Sequence, residues 1–157
     1  MLSYQTMELI PLYINEDPAT ADSKEGIRLA QTAADDVVFV VPTKCELLMV
    51  AALVTVTCAG GDATPEFKFS IRPTGGSDTD RVDAGAGHLK LGTTAAGKVM
   101  YSREKEGTIL EPGQEVVCHH IAAAGTGAAG QARPFMLVRP LSEEPVNMDA
   151  MVEAPAE

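Results

Sequence analysis

The chain has 157 residues, a formal net charge of −10, 45% hydrophobic residues and only 4% aromatic ones, with no Trp. That length suits a single domain with a real core and no need of disulfides. The acidic balance offers no basic stripe for a phosphate backbone, which excludes direct DNA or RNA binding. Cys45, Cys58 and Cys118 are an odd set without C-x-x-C spacing, which argues against a disulfide scaffold and for synthesis in a reducing compartment.

The first element in chain order is an N-terminal arm, residues 1–26. "MLSYQTMELI" has no basic segment leading into an apolar one, so no secretion signal is read there. The arm carries Glu8, Glu16, Asp17, Asp22 and Glu25 against Lys24, a net charge of −4, and mixes Leu9, Ile10, Leu12 and Tyr13 with Pro11 and Pro18. Only residues 20–34, "TADSKEGIRLAQTAA", have room for a helix, and Gly26 weakens it.

The body, residues 27–140, reads as β throughout and is nearly neutral. "DVVFVV" (36–41) is a β-branched run closed by Pro42. "CELLMVAALVTVT" (45–57) starts helix-tolerant and ends in strand formers, and is taken as one long strand; with Glu46 inside it, the run is too short to cross a bilayer, for which about 20 residues are needed. "FKFSIR" (67–72) alternates, with Phe67, Phe69 and Ile71 on one face and Lys68, Ser70 and Arg72 on the other. "HLKL" (88–91), "KVMYS" (98–102), "EVVCHHIA" (115–122) and "RPFMLVR" (133–139) add four strands, and Phe39, Phe67, Phe69 and Phe135 are assigned to the core. Between them lie "CAGGDATP", "RPTGGSDTD", "DAGAGH" and "EPGQ", whose Pro112 and Gly113 fit the centre of a type II turn. Short strands between Gly/Pro-rich turns predict an all-β antiparallel sandwich or jelly roll. A C-terminal arm, residues 141–157, follows. It carries Glu143, Glu144, Asp149, Glu153 and Glu157 with no Lys or Arg, a net charge of −5, studded with Val146, Met148, Met151 and Val152.

Two stretches imitate nucleotide motifs. "LGTTAAGKVM" (91–100) keeps the G-x-x-x-x-G-K spacing through Gly92, Gly97 and Lys98, but Val99 stands where a hydroxyl should hold Mg²⁺, and the following residues read as strand rather than helix. "GTGAAG", with Gly125, Gly127 and Gly130, has the dinucleotide spacing, yet Pro134 leaves no room for a helix. It is read as a Gly/Ala hairpin loop between two strands. Catalytic candidates are few. On a strand Cys118 and His120 point one way and His119 the other, and no His, Cys or carboxylate set has a recognised metal spacing, so neither a Cys–His nucleophile pair nor a cofactor or metal is expected. Without exposed aromatic platforms, sugar or single-strand binding is not indicated either. The ends are too apolar for pure solvation and too broken by proline for helices, and suit extended arms that lie on another surface. Leu9, Ile10, Leu12, Tyr13, Val146, Met148 and Met151 are the candidate interface residues.

In texture the Gly/Ala-rich acidic β body, the "LEPGQEVV" turn, "AAAGTGAAGQARPFMLVRP" and the Pro/acidic tail resemble virion proteins of tailed phages, in particular capsid decoration (cement) proteins, over roughly residues 85–148. No individual residue carries a motif across. The resemblance implies a sandwich or jelly-roll body, a homo-oligomer with a trimer favoured, arms bridging neighbours, a major capsid or other assembly protein as partner, no membrane, no catalysis, and a place on the virion surface after synthesis in the host cytoplasm. The alternative, from a different class, is a small-ligand-binding β-sandwich or barrel that uses the degenerate loop at 92–98.

Overall fold

A computed structural model describes residues 7–12, 26–30 and 37–141 together with Pro155. They form ten strands: β1 (Glu8–Pro11), β2 (Ile27–Arg28), β3 (Val37–Val40), β4 (Cys45–Ala59), β5 (Glu66–Pro73), β6 (Val82–Lys90), β7 (Val99–Ser102), β8 (Ile109–Leu110), β9 (Gln114–Ile121) and β10 (Ala129–Pro140). One turn of 3-10 helix, Asp78–Asp80, lies between β5 and β6.

The strands divide into two antiparallel sheets. In one the order is β1-β10-β4-β7, with β2 also on β10 and β8 also on β4; in the other it is β3-β9-β5-β6. Because β4 runs along the whole of one side of β10, β1 and β2 must share the other side, at Phe135–Val138 and at Gln131–Ala132. In the same way β7 and β8 share the far side of β4. The pairs nest: β1 with β10, β3 with β9, β4 with β7, and β5 with β6. That is a long hairpin with its tip between β5 and β6, rolled up so that β10 meets β4 and β9 meets β5. The expected sandwich is therefore present, and its topology is the jelly roll.

The core lies between the sheets. Phe67 and Phe69 enter it from β5, Leu47, Val50 and Val54 from β4, Val116 and Cys118 from β9, and Met136 and Val138 from β10. Each such aliphatic or aromatic side chain contributes about 1.5–3 kcal/mol by leaving water. Leu12, Leu29, Leu91 and Leu110, all fully buried, close the ends.

The long strand expected at 45–57 is present and runs on to Ala59, with β10 on one side and β8 and β7 on the other pairing with its backbone, so that tertiary pairing overrides the helix-tolerant character of its start. Other expectations are corrected. Of residues 20–34, the one stretch with room for a helix, Gly26–Ala30 are described, and there Ile27–Arg28 pair with β10; the remainder lies outside the described residues. "DAGAGH" is strand rather than turn, part of β6. The Gly/Ala stretch does join two strands but is no hairpin, since β9 and β10 belong to different sheets. It crosses between them, tied by a bridge between Ala63 and Ala124 and by Ala123 N–H to Leu29 O at 2.8 Å. Phe135 faces away from the core, and Phe39 is half-buried and packs against it. The type II turn stands: Gly113 has φ 87°, and Gln114 N–H donates to Glu111 O at 3.1 Å.

Gly87 explains why residues 83–88 looked like a turn. It lies in β6 with φ 132°, and a Cβ built there would stand 2.8 Å from Val50 Cγ2 of the facing sheet. Glycine inside a strand marks such a close approach. Gly87→Ala is expected to cost about 2 kcal/mol in urea unfolding, from backbone strain plus overpacking. A change below a few tenths of a kcal/mol would show that the sheets do not meet there.

Candidate interaction surface

The two outer faces of the sandwich differ in chemistry. On the β3-β9-β5-β6 sheet the outward residues of β5 are Glu66, Lys68, Ser70 and Arg72, and each has a partner. Glu66 Oε2 meets His88 Nε2 at 2.7 Å, Lys68 Nζ donates to Asp83 Oδ2 at 2.9 Å, and Ser70 Oγ donates to Asp83 Oδ1 at 3.3 Å. Arg72 Nε donates to Glu115 Oε2, whose Oε1 also accepts Gly75 N–H at 3.2 Å. The centre of this face is polar with its charges matched, and exposed valines stand on its two edge strands, Val38 and Val40 on β3 and Val82 on β6.

The other sheet presents an apolar face. Since Val50, Ala52, Met136 and Val138 are in the core, the residues alternating with them point outward. One row runs Pro11, Phe135, Ala51, Tyr101 across β1, β10, β4 and β7. The next runs Leu9, Leu137, Met49, and on the other side lies Arg133, Leu53, Val99. Tyr101 is 62% exposed, Leu9 58% and Val99 50%, and Ile109 extends the patch on β8. Charge sits at the two ends. Arg139 pairs with Glu46 at 3.4 Å at one end, and Arg133, with Arg28 opposite Gln131, stands at the other. The outward positions of this sheet thus hold three arginines against one glutamate, in a chain of net charge −10. A face of this character suits contact with another macromolecule better than contact with water.

The residues singled out in the sequence scatter differently. Leu9 is on this face; Ile10 packs against the chain's own core and Leu12 is fully buried in it, because alternation along β1 turns them inward. Tyr13, Val146, Met148 and Met151 lie outside the described residues. Cys118 and His120 are buried and face inward, opposite Phe69 and Phe67, whereas His119 faces outward opposite Lys68. Among the described residues no group of three or more His, Cys, Asp or Glu could hold a metal ion. Cys45 and Cys58 are buried thiols, and burial raises both pKa values, with the Glu8 carboxylate adding to the effect at Cys45. Such thiols stay protonated and are poor nucleophiles.

At residues 91–98 the loop runs into strand β7, and several of its amides, including those of Gly97 and Lys98, are already bonded. Thr94 N–H donates to Leu91 O, Ala96 N–H to Thr57 Oγ1, Gly97 N–H to Val54 O and Lys98 N–H to Ala95 O. Backbone donors that would cradle a phosphate are thus used to close the loop's own turns, at Thr94 and Lys98, and to hold it against β4, at Ala96 and Gly97.

The apolar face had a signal in the sequence. "LLMVAALV" (47–54) and "PFMLV" (134–138) are continuous apolar runs where an antiparallel strand with one wet face would alternate, so both faces of β4 and β10 are apolar. No protein-family model matches the chain, and no curated protein or solved structure is significantly similar to it.

The polar sheet carries a pH test. The hydrogen bond from Arg72, followed by that from the Gly75 amide, holds the Glu115 carboxyl below its ordinary pKa. A carboxylate depressed in the folded state stabilises it above the unfolded pKa, about 4.3, and that contribution is lost as pH falls through the lower folded value. Glu115→Gln should therefore weaken stability at neutral pH and flatten its fall below about pH 4.3. Denaturant midpoints for both proteins from pH 7 to 3 check this; parallel curves would mean that the Arg72 contact does not act on the carboxylate.

Proposed function

We propose that the protein is a non-enzymatic structural protein that joins and stabilises a larger assembly, and that the outer face of the six-stranded sheet is the surface through which it docks. The observation that carries this reading is the row structure of that face: Leu9, Leu137, Met49, Phe135, Tyr101 and Val99 stand together outward, where an isolated sandwich would place polar side chains. Burying such a surface is worth about 25 cal/mol per Å² before the costs of association, and tyrosine is among the residues enriched in interfaces. The polar face opposite keeps the other side of the sandwich wet. The short edge strands, two along each side of the apolar sheet, limit open-ended strand pairing and favour a closed oligomer.

A homo-oligomer, with a trimer favoured, attached to a major capsid or comparable shell protein is the assembly that this reading supports best, in keeping with the resemblance to phage capsid decoration proteins; its place would then be the virion surface. The small-ligand reading has lost support, because the Thr94, Ala96, Gly97 and Lys98 amides of the 91–98 loop are engaged within the chain.

The test uses exposed edge positions, where substitutions alter stability by no more than about 0.5 kcal/mol, or about 2 °C in Tm. The Leu9→Asp, Tyr101→Asp double variant should melt within that margin of the parent, yet sediment at lower mass and bind its assembly weakly. Particles lacking the protein should also fail at lower temperature than decorated ones. Unchanged mass and full occupancy for the double variant would refute this use of the face.

A further inference from the structure

The apolar face carries an excess of arginine in a body that is otherwise nearly neutral, and the same sequence contains an acidic, apolar segment of matching character. We infer that the face receives residues 142–157 of a second copy of this chain. This rests on the reading of the face as a docking surface, and adds what docks there. The segment, which lies outside the described residues, has five acids, no Lys or Arg, and four large apolar residues, Val146, Met148, Met151 and Val152. Alternate residues of an extended chain share a side. Glu144, Val146 and Met148 therefore read acid, apolar, apolar along one side. The outward side of β10 reads Arg139, Leu137, Phe135, that is, base, apolar, apolar, and ends at Arg133. Laid over β10 in the reverse direction, Glu144 meets Arg139, Val146 meets Leu137 and Met148 meets Phe135. Among the described residues the charges on the opposite face are paired with one another; Arg139 here is shared with Glu46, but the outward positions of this sheet still hold arginine in excess over acid.

A second copy is favoured over the chain's own face by the way the strand leaves the sheet. Leu141 N–H donates to Lys44 O at 3.1 Å, which carries β10 in its own direction past the start of β4. Pro145 biases Glu144 away from the helical conformation and toward an extended one. Lying on its own face would require a full reversal between residues 141 and 144. Running on into a neighbour requires none, and repeated around a ring it gives each copy one donor and one acceptor contact.

The experiment uses full-length chains with one added cysteine. Val146→Cys protein and Leu137→Cys protein are mixed in a glutathione redox buffer; the native cysteines are buried and give little background. The mixture should form at least about tenfold more disulfide-linked dimer than either protein alone, because docking raises the local thiol concentration. If Leu137→Cys folds poorly, Leu9→Cys, exposed and beside Leu137 on the next strand, takes its place. No dimer in the mixture overturns the inference. So does a chain carrying both cysteines that closes only on itself, which would put the segment on its own face. If the mixture gives no dimer while Leu9→Asp, Tyr101→Asp still loses mass, another occupant fills the face and the docking reading survives; if that variant also keeps its mass, both fall.

Discussion

The antiparallel pairing of β4 with β10 is the constraint on which the molecule depends. These are the two longest strands, fifteen and twelve residues, and they pair from Cys45–Pro140 to Ala59–Ala129. Their inward residues, Leu47, Val50, Val54, Met136 and Val138, form one wall of the core. Their outward residues, Met49, Leu53, Phe135 and Leu137, form the centre of the apolar face. Core and candidate docking surface are thus two sides of one ladder. A one-residue slip in register would exchange them. The bulges at Leu137/Val138 and near Gln131 pin the register against such a slip.

The two sheets solve different problems with the same architecture. On β5, alternation is strict enough to give one apolar and one polar side, and cross-strand neighbours supply partners: opposite charges for Lys68 with Asp83 and Arg72 with Glu115, and a hydrogen bond between Glu66 and His88. A solvent-facing pair such as Lys68–Asp83 contributes little stability by itself, up to about 1 kcal/mol, whereas Arg72–Glu115 is largely covered. Their effect is to make that face comfortable in water. On β4 and β10 alternation is absent, and the cost of leaving apolar surface wet falls on one face only. That asymmetry gives the sandwich a direction.

The glycine-rich segments show how backbone freedom is used when no phosphate is involved. Gly92 and Gly97, with φ of 56° and 84°, let residues 91–98 turn tightly enough for their amides to reach β4. The stretch around Gly125 and Gly127 carries the chain from one sheet to the other, which demands a sharp change of direction rather than a ligand. The spacing of glycines is the same in a nucleotide loop. What differs is where the N–H groups point.

By itself the sequence determined the strand content of the body and its all-β class, because the period-2 pattern of Phe67, Phe69 and Ile71 and the β-branched runs are local properties. It also determined the turn at Pro112–Gly113, where φ restrictions act residue by residue. Only the tertiary structure decided which strands share a sheet, since pairings such as Glu8 with Val138 or Val37 with Cys118 link residues far apart in the chain. The same non-local pairing turned Ile10 and Leu12 inward and Leu9 outward from one apolar stretch, made strands of Ile27–Arg28 and Val82–Gly87 against their local character, and moved Phe135 from the expected core to the surface. A period of two says that a strand has two sides. Which side is covered depends on what packs against it, and that is settled only when both sheets are in place.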